Sequence, residues 1–182
     1  MEITAIDGKP LKPGDRVPAG KHRLAPDLFG HSSVEVRARA AESDTLAYDT
    51  TATVGPDGTG KLVVTKLVVE QAQDGPPVQR GELAKISVEP FIRFTAEATV
   101  LRIARDSVGF PQIGHILERL EEHGLTEADL PDLARAYRWI RLQEGKPTAI
   151  LASEVGVSVA TVKRWLAKAV DAGFLMPEER TK

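Results

Sequence analysis

The stretch from residue 135 to residue 168 concentrates side chains that can hold an anion. It contains seven lysines and arginines against two glutamates, a net charge of +5. The whole chain of 182 residues has a net charge of −2, so the remaining residues carry −7. Clustered cations neutralise the phosphates of nucleic acids. Such an uneven charge distribution predicts that this module meets a polyanion while the rest of the chain has another role.

Three helices are predicted in residues 131–175, and they must position these cations. We expect them over about 132–143, 148–155 and 158–172. Gly145 and Pro147 prevent the first helix from continuing. Thr148 and Ser158 are the expected N-caps of the second and third helices, because their hydroxyls can accept a bond from a free backbone N–H.

The turn between the second and third helices is short, which constrains the residues around it. Two helices joined by three or four residues cross steeply, so the second needs a small residue at the crossing, and Ala152 supplies it. The turn needs a residue that tolerates positive φ, and Gly156 supplies it. Val162 and Trp165 begin the buried face of the third helix. This spacing is the helix-turn-helix pattern of DNA-binding proteins.

The same residues carry a resemblance to a known family. Residues 131–175 resemble the helix-turn-helix domains of bacterial and phage regulators. The run from Leu151 to Leu166 matches their signature AxxxGVSxxTVxRWL at nearly every position. The closing residues 169–175 are similar to the A(R)xxGLL end found in many actinobacterial proteins of this type. The resemblance covers about a quarter of the chain.

The resemblance implies a recognition helix that enters the major groove with its N-terminal end. Its hydroxyls would bond phosphates or base edges, its cations would read guanine, and its small apolar residues would touch a thymine methyl group. Thr148 would hold a phosphate at the start of the second helix, and Lys146 and Arg141 would add general phosphate attraction. The predicted DNA-binding residues are Arg141, Lys146, Thr148, Ser158, Val159, Ala160, Thr161, Lys163, Arg164 and Lys168.

No other set of residues indicates catalysis or a bound metal or cofactor. The chain has no cysteine, and its four histidines lack metal-binding spacing, so we expect His115 and His123 to lie on the surface. Residues 57–60 are typical of a hairpin turn, because no lysine followed by serine or threonine comes after them as in a phosphate-binding loop; Lys61 and Thr65 do not fit that pattern. Trp139 and Trp165 are expected to pack in the core. We therefore predict that the protein is not an enzyme and needs no cofactor.

The residue pattern of the N-terminal part is typical of β-strands. Strands of an antiparallel meander are expected over 34–40, 46–54 and 61–70. The apolar residues of the third strand change phase near Lys66, which a bulge would reconcile. Residues 2–6 would add a fourth strand. The other residues of the first thirty read as irregular, because glycine and proline recur at short intervals.

Helical patterns follow the meander. A short helix is expected over 81–88. A longer one starts at Glu89-Pro90 and carries an apolar stripe to Ala104 or Arg105. A further helix is expected over 112–123, where Gly124 suits its C-terminal end.

The predicted fold class is α+β, with a small antiparallel β-rich N-terminal domain followed by helices and a C-terminal tri-helical helix-turn-helix domain. We expect residues 1–110 to form the β-rich domain with a following helix, residues 111–130 a connecting helix and linker, and residues 131–182 the DNA-binding domain. No stretch has the roughly 20 apolar residues of a spanning helix, and the first residues do not resemble a secretory signal. A soluble cytoplasmic protein without membrane contact is expected.

The predicted function is sequence-specific binding of double-stranded DNA by a transcriptional regulator. A homodimer is expected, with the N-terminal domain serving oligomerisation or partner contacts. One alternative is a DNA-binding component of a phage or mobile-element machine, such as a small packaging subunit or a recombination accessory factor. Another is a protein–protein adaptor whose helical tail does not bind DNA. A ring-shaped oligomer would favour the first alternative, and failure to bind DNA at low salt the second.

Overall fold

The chain is an α+β protein, as the sequence predicts. This computed structural model describes residues 1–12, 14–40, 47–104, 107–143 and 145–180. Antiparallel sheets occupy the N-terminal part and helices follow. The chain divides into two compact units, Met1–Val108 and Gly109–Lys182.

The elements are numbered in chain order. The strands are β1 (Glu2–Ile6), β2 (Lys9–Pro10), β3 (His22–Ala25), β4 (Leu28–Gly30), β5 (Val34–Ala38), β6 (Tyr48–Pro56), β7 (Leu62–Gln71), β8 (Leu101–Ala104) and β9 (Ser107–Gly109). The helices are α1 (Arg80–Leu83), α2 (Glu89–Thr99), α3 (Ile113–His123), α4 (Leu130–Gln143), α5 (Pro147–Glu154) and α6 (Val159–Asp171). Single 3-10 turns cover Glu127–Asp129 and Pro177–Glu179.

The first sheet has five strands in the order β2-β1-β5-β6-β7, and all neighbouring pairs are antiparallel. The predicted meander is confirmed, with β1 as its fourth strand beside β5. The register of β6 and β7 shifts at one point, where Thr53 pairs with Lys66 but Val54 pairs with Val64. Thr65 is therefore the extra residue of a bulge, directly beside the position predicted for it.

A second sheet, with the order β3-β4-β8-β9, was not predicted. Two of its strands lie in the first thirty residues, so the prediction of irregular structure there is wrong in part. The predicted helix that starts at Glu89 ends at Thr99, and the next residues form β8. Val100 is fully buried in an extended conformation. β-branched residues such as Val100 and Ile103 keep more χ1 freedom in a strand, which favours this change.

Two further differences concern element bounds. The helix expected over 81–88 is only the single turn α1. The second meander strand begins at Tyr48. Leu46 and Arg105, which the sequence analysis places in a strand and a helix, lie outside the described residues.

The core of the first unit lies between the first sheet and α2. Alternate residues of β5 and β6 are buried, and they share one face of the sheet. Helix α2 contacts β5, β6 and β7, and its Phe91 and Ala96 are fully buried. Apolar burial on one face of the sheet is therefore what holds α2 in place.

The second unit is helical, and its core joins four helices. Buried residues of α3, α4, α5 and α6 form one apolar cluster, which also includes Leu175. Tyr137 is its largest fully buried side chain. Residues 111–130, expected to be a connection, include α3, whose Ile116 and Leu120 belong to this cluster.

Candidate nucleic-acid interface

The turn between α5 and α6 has the geometry that its sequence predicts. Ala152 is buried and accepts a hydrogen bond from the backbone N–H of Val157 at 3.0 Å. Gly156 has a φ of +67°, a conformation that costs an L side chain about 1–2 kcal/mol. The chain can therefore reverse within three residues and start α6 beside α5.

Ser158 is the N-cap of α6, as predicted. Its Oγ accepts a hydrogen bond from the backbone N–H of Thr161 at 3.1 Å. Ser158 Oγ and Thr161 Oγ1 are also 3.0 Å apart, and Arg164 Nη2 donates to Thr161 Oγ1 at 3.2 Å. Three of the predicted DNA-binding residues thus form one polar group at the start of α6.

Helix α6 has a buried side and an exposed side. Val162, Leu166 and Ala169 are buried, at the helical spacing of one apolar stripe. The exposed residues among those predicted to bind DNA are Lys146, Ser158, Val159, Ala160, Lys163, Arg164 and Lys168. Four of these exposed residues are cations, and among the described residues no acidic side chain forms an ion pair with any of the four. We call Lys146, Lys163, Arg164 and Lys168 the cationic set.

The predicted N-cap of the second helix is wrong. Helix α5 begins at Pro147, and Lys146 is its N-cap, without a capping bond from a side chain. Proline is favoured at this first position because its φ suits the helix and no N–H is lost. Thr148 is the second residue of α5 and is half-buried.

Two of the seven cations counted in residues 135–168 are occupied within the protein. Arg138 is buried, and its Nε and Nη2 donate to the two carboxylate oxygens of Glu179 at 2.7 and 3.0 Å. Its Nη2 also donates to the carbonyl of Phe174 at 2.8 Å. Arg135 Nη1 lies 2.8 Å from Asp132 Oδ1. These partners fall just outside the counted stretch, so the charge of +5 overstates what is available to a polyanion.

Arg141 is partly occupied in the same way. Burial raises the pKa of Glu179, but hydrogen bonds from Arg138 and the backbone N–H of Met176, together with the charge of Arg141, lower it by more. The pKa of this carboxyl therefore lies below its usual value. The half-buried Arg141 thus compensates Glu179, which weakens its expected role in phosphate attraction.

The second unit as a whole is not basic. It contains ten lysines and arginines against eleven aspartates and glutamates, a net charge of −1. Acidic residues are concentrated on α3, where Glu118, Glu121 and Glu122 are exposed. A Cβ atom on Gly156 would lie 3.9 Å from Glu121 Oε1, so this acidic surface reaches the turn before α6. Attraction to a polyanion therefore depends on the local cationic set rather than on the net charge of the unit.

A buried histidine cluster in the first unit was missed by the sequence analysis. His31 is buried, with Nδ1 3.2 Å from Asp7 Oδ2 and Nε2 2.9 Å from the carbonyl of Pro18. Both ring nitrogens of His31 therefore have a polar partner within the protein. Ser32 Oγ and the Ser33 N–H donate to Asp7 Oδ1 at 2.7 and 3.0 Å. The pairing of β1 with β5 brings Asp7 near His31. Local sequence does not indicate this contact, because the two residues lie far apart along the chain.

This cluster contains the three residue types of a hydrolytic triad but not its arrangement. Ser32 donates to Asp7 rather than to His31, and the Nε2 that would activate a hydroxyl faces a backbone carbonyl. Burial raises the pKa of Asp7, but the bonds from Ser32, His31 and Ser33 lower it by more, so it lies below its usual value. The contacts suit a structural role, in which Asp7 connects the turn after β1 to the residues just before β5.

The remaining side chains noted in the sequence have the environments expected of them. His115 and His123 are exposed, and Trp139 and Trp165 are partly buried against the core of the second unit. Within the described ranges, no group of three His, Asp or Glu side chains could hold a metal ion. None of the helices described is both long and apolar enough to cross a bilayer.

Comparisons with protein-family models, with curated proteins and with solved structures gave no match to this chain.

Proposed function

We propose that the chain is a sequence-specific DNA-binding protein that acts as a transcriptional regulator in the cytoplasm. One observation carries the proposal: α6 is buried along one side and exposes Lys163, Arg164 and Lys168 along the other. A capped helix held in this way can lie in a major groove with its N-terminal end towards the bases.

Some side chains of α6 would contact phosphates, and others would contact bases. Lys163 and Lys168 are flexible point charges suited to phosphate oxygens, whereas the fork of Arg164 can reach guanine N7 and O6 together. In the free protein Arg164 is bonded only to the neutral hydroxyl of Thr161 among the described residues, so it can turn outward at little cost. A bidentate contact with guanine is worth about 1–3 kcal/mol of discrimination.

The protein would act as a homodimer on two half-sites. A single module of this kind contacts few bases, and dimers read half-sites about 10 base pairs apart or a multiple of that spacing. The N-terminal unit would supply the contact between subunits. Double-stranded DNA is the proposed partner, with no part played by a membrane or a cofactor.

The salt dependence of DNA affinity tests the proposal. The dissociation constant for mixed genomic fragments is measured by fluorescence anisotropy at several salt concentrations. Three phosphate contacts per module, from the three lysines of the cationic set, predict a slope of about −2.7 per module in log K against log salt. The double variant Lys163→Ala/Arg164→Ala should weaken binding and reduce the slope to about −1.8.

A matched control removes two charges elsewhere. Lys9 and Arg93 are exposed in the first unit, and Lys9→Ala/Arg93→Ala should leave affinity and slope unchanged. Equal losses in both double variants would mean that only net charge matters, and no binding at low salt would favour the adaptor. Selection of bound fragments from the host genome then separates the remaining functions. Enrichment of promoters supports a regulator, whereas a single packaging or recombination locus contradicts it.

A further inference from the structure

The longest strand of the first unit lies at the edge of its sheet. β7 has ten residues and pairs with β6 on one side, and no other described strand pairs with its outer side. An open edge presents a row of unpaired backbone N–H and C=O groups, and monomeric proteins normally blunt such edges with charges, bulges or proline. β7 contains no proline, one bulge at Thr65 and only two charged residues, Lys66 and Glu70, so residues 66–71 of the edge are regular.

A groove runs along this open edge. It has a volume of about 450 Å³ and is lined by the consecutive residues 61–67, with Val88 and Ile92 at the start of α2 as the opposite wall. Leu67 lies across from Ala52 of β6, on the face that packs against α2, yet it is 38% exposed. The apolar layer beneath α2 is therefore left partly uncovered at Leu67, on the outer side of β7.

The two charges of β7 have no opposite charge beside them in the described sheet. Lys66 pairs across the strands with Thr53, and Glu70 pairs with Asp49, which has the same sign. Like charges directly opposite each other destabilise a sheet, and here Asp49 is compensated by Arg37 at 3.3 Å. A cation on the open side of Glu70 would compensate the remaining carboxylate.

A second copy of the chain supplies that cation in one particular register. If two β7 strands pair antiparallel about a two-fold axis at Val68, Lys66 of each lies opposite Glu70 of the partner subunit. Leu67 then lies opposite Val69 of the partner subunit, on the apolar face. The segment 66–70 can pair regularly because the bulge at Thr65 lies outside it.

We propose that the protein forms a homodimer through β7, in which the two five-stranded sheets join into one continuous sheet centred on Val68. The contact is isologous, as in most homodimers, because the Lys66–Glu70 pair occurs twice. The self-complementary spacing of these charges favours a second copy over an unrelated peptide. This contact rests on the homodimer of the proposed function, but it does not depend on DNA binding, so the pairing and the DNA binding can fail separately.

Charge reversal tests the register. Sedimentation equilibrium without DNA should give twice the chain mass of 19.7 kDa for the wild-type protein. Lys66→Glu or Glu70→Lys alone places like charges opposite each other at both ends of the contact, and the dimer dissociation constant should rise about tenfold or more. The double variant Lys66→Glu/Glu70→Lys restores both pairs and should return the constant to near the wild-type value. A monomeric wild-type protein, or a double variant no better than the worse single one, would overturn the proposal.

Cysteine cross-linking provides a second readout that does not depend on charge. The chain contains no cysteine, so any disulfide must come from an introduced residue. Val68→Cys should form an inter-chain disulfide under mild oxidation, because the two side chains are directly opposite each other at the axis. Thr51→Cys is the control: it is half-buried like Val68 and lies opposite it on β6, one strand farther from the partner. Equal cross-linking of the two variants would contradict pairing through β7, as would none in either.

Discussion

The ion pair between Arg138 and Glu179 makes a strong prediction about stability. The two side chains are only 10% and 14% exposed. The Arg138 guanidinium donates two hydrogen bonds to the carboxylate of Glu179 and one to the carbonyl of Phe174. Removing one partner of a buried ion pair destabilises a protein by about 3–5 kcal/mol. Because some exposure remains here, we expect Glu179→Gln to lower the free energy of unfolding of the second unit by about 3 kcal/mol.

The cost of Glu179→Gln depends on pH in a known direction. The pKa of Glu179 lies below its usual value in the folded protein, since the bonds and charges around it outweigh the effect of burial. Its carboxylate therefore stabilises the fold fully above the unfolded pKa of about 4.3, and the stabilisation is lost as the pH falls through the folded pKa. The difference between wild type and variant should be full at pH 7 and shrink below about pH 4.

Tryptophan fluorescence during urea unfolding measures this cost in the full chain. Both tryptophans of the protein, Trp139 and Trp165, pack against the core of the second unit, so the signal reports that unit. Glu118→Gln is the control, because Glu118 is 72% exposed and contacts only His115 at 3.5 Å among the ion pairs described. A loss below about 0.5 kcal/mol, or one equal to that of the control, would refute the account of a buried pair.

Four further variants test other parts of the structure. Gly156→Ala should cost about 1 kcal/mol in the same urea experiment, because the turn requires positive φ; an unchanged midpoint would contradict this. Ser158→Ala should cost about 1 kcal/mol and Ser158→Asp much less, since aspartate also caps; equal losses would refute the capping role. Glu121→Gln should tighten DNA binding in the anisotropy assay by removing a carboxylate beside the turn, and weaker binding would count against the proposed interface. Asp7→Asn should flatten the pH dependence of thermal unfolding of the first unit below about pH 4, followed by circular dichroism, because the lowered pKa of Asp7 makes its stabilisation disappear as acid protonates it. An unaltered profile would show that the contact with His31 adds nothing.

The helices of the second unit could be predicted from local sequence because local chemistry determines their ends. Ser158 caps α6 through a bond to a residue three positions away, and Gly156 and Gly173 provide positive φ where the chain leaves a helix. The misplaced cap at Thr148 shows the limit of this reasoning. The first residue of α5 is Pro147, which lies before the predicted N-cap, Thr148. Proline and threonine are both common at helix starts, so local sequence does not distinguish the two positions.

The second sheet could not be predicted because its strands are held by distant partners. β4 has only three residues and pairs with β8 about seventy positions later. A strand of that length has too few residues to establish a period of two. In β8 the run after Thr99 fits either a helix or a strand, and the pairing with β4 decides between them.

The charge of the candidate interface was overestimated for a related reason. Counting residues 135–168 separates Arg138 from Glu179 and Arg135 from Asp132, although these side chains meet in the folded unit. Net charge in a sequence window measures the residues present, whereas a polyanion meets only those left exposed. The prediction that Lys163, Arg164 and Lys168 face outward did not depend on the count, because it followed from the apolar period of α6.

The anchoring of Glu179 on Arg138 also determines where the second unit can be cut. The matched helix-turn-helix pattern ends at Leu175, so a fragment designed from the pattern alone would stop there. Such a fragment would retain all three helices but remove Glu179, which accepts two hydrogen bonds from the buried Arg138 guanidinium. Fragments that end after Arg180 keep the acidic turn in place and are the ones to express.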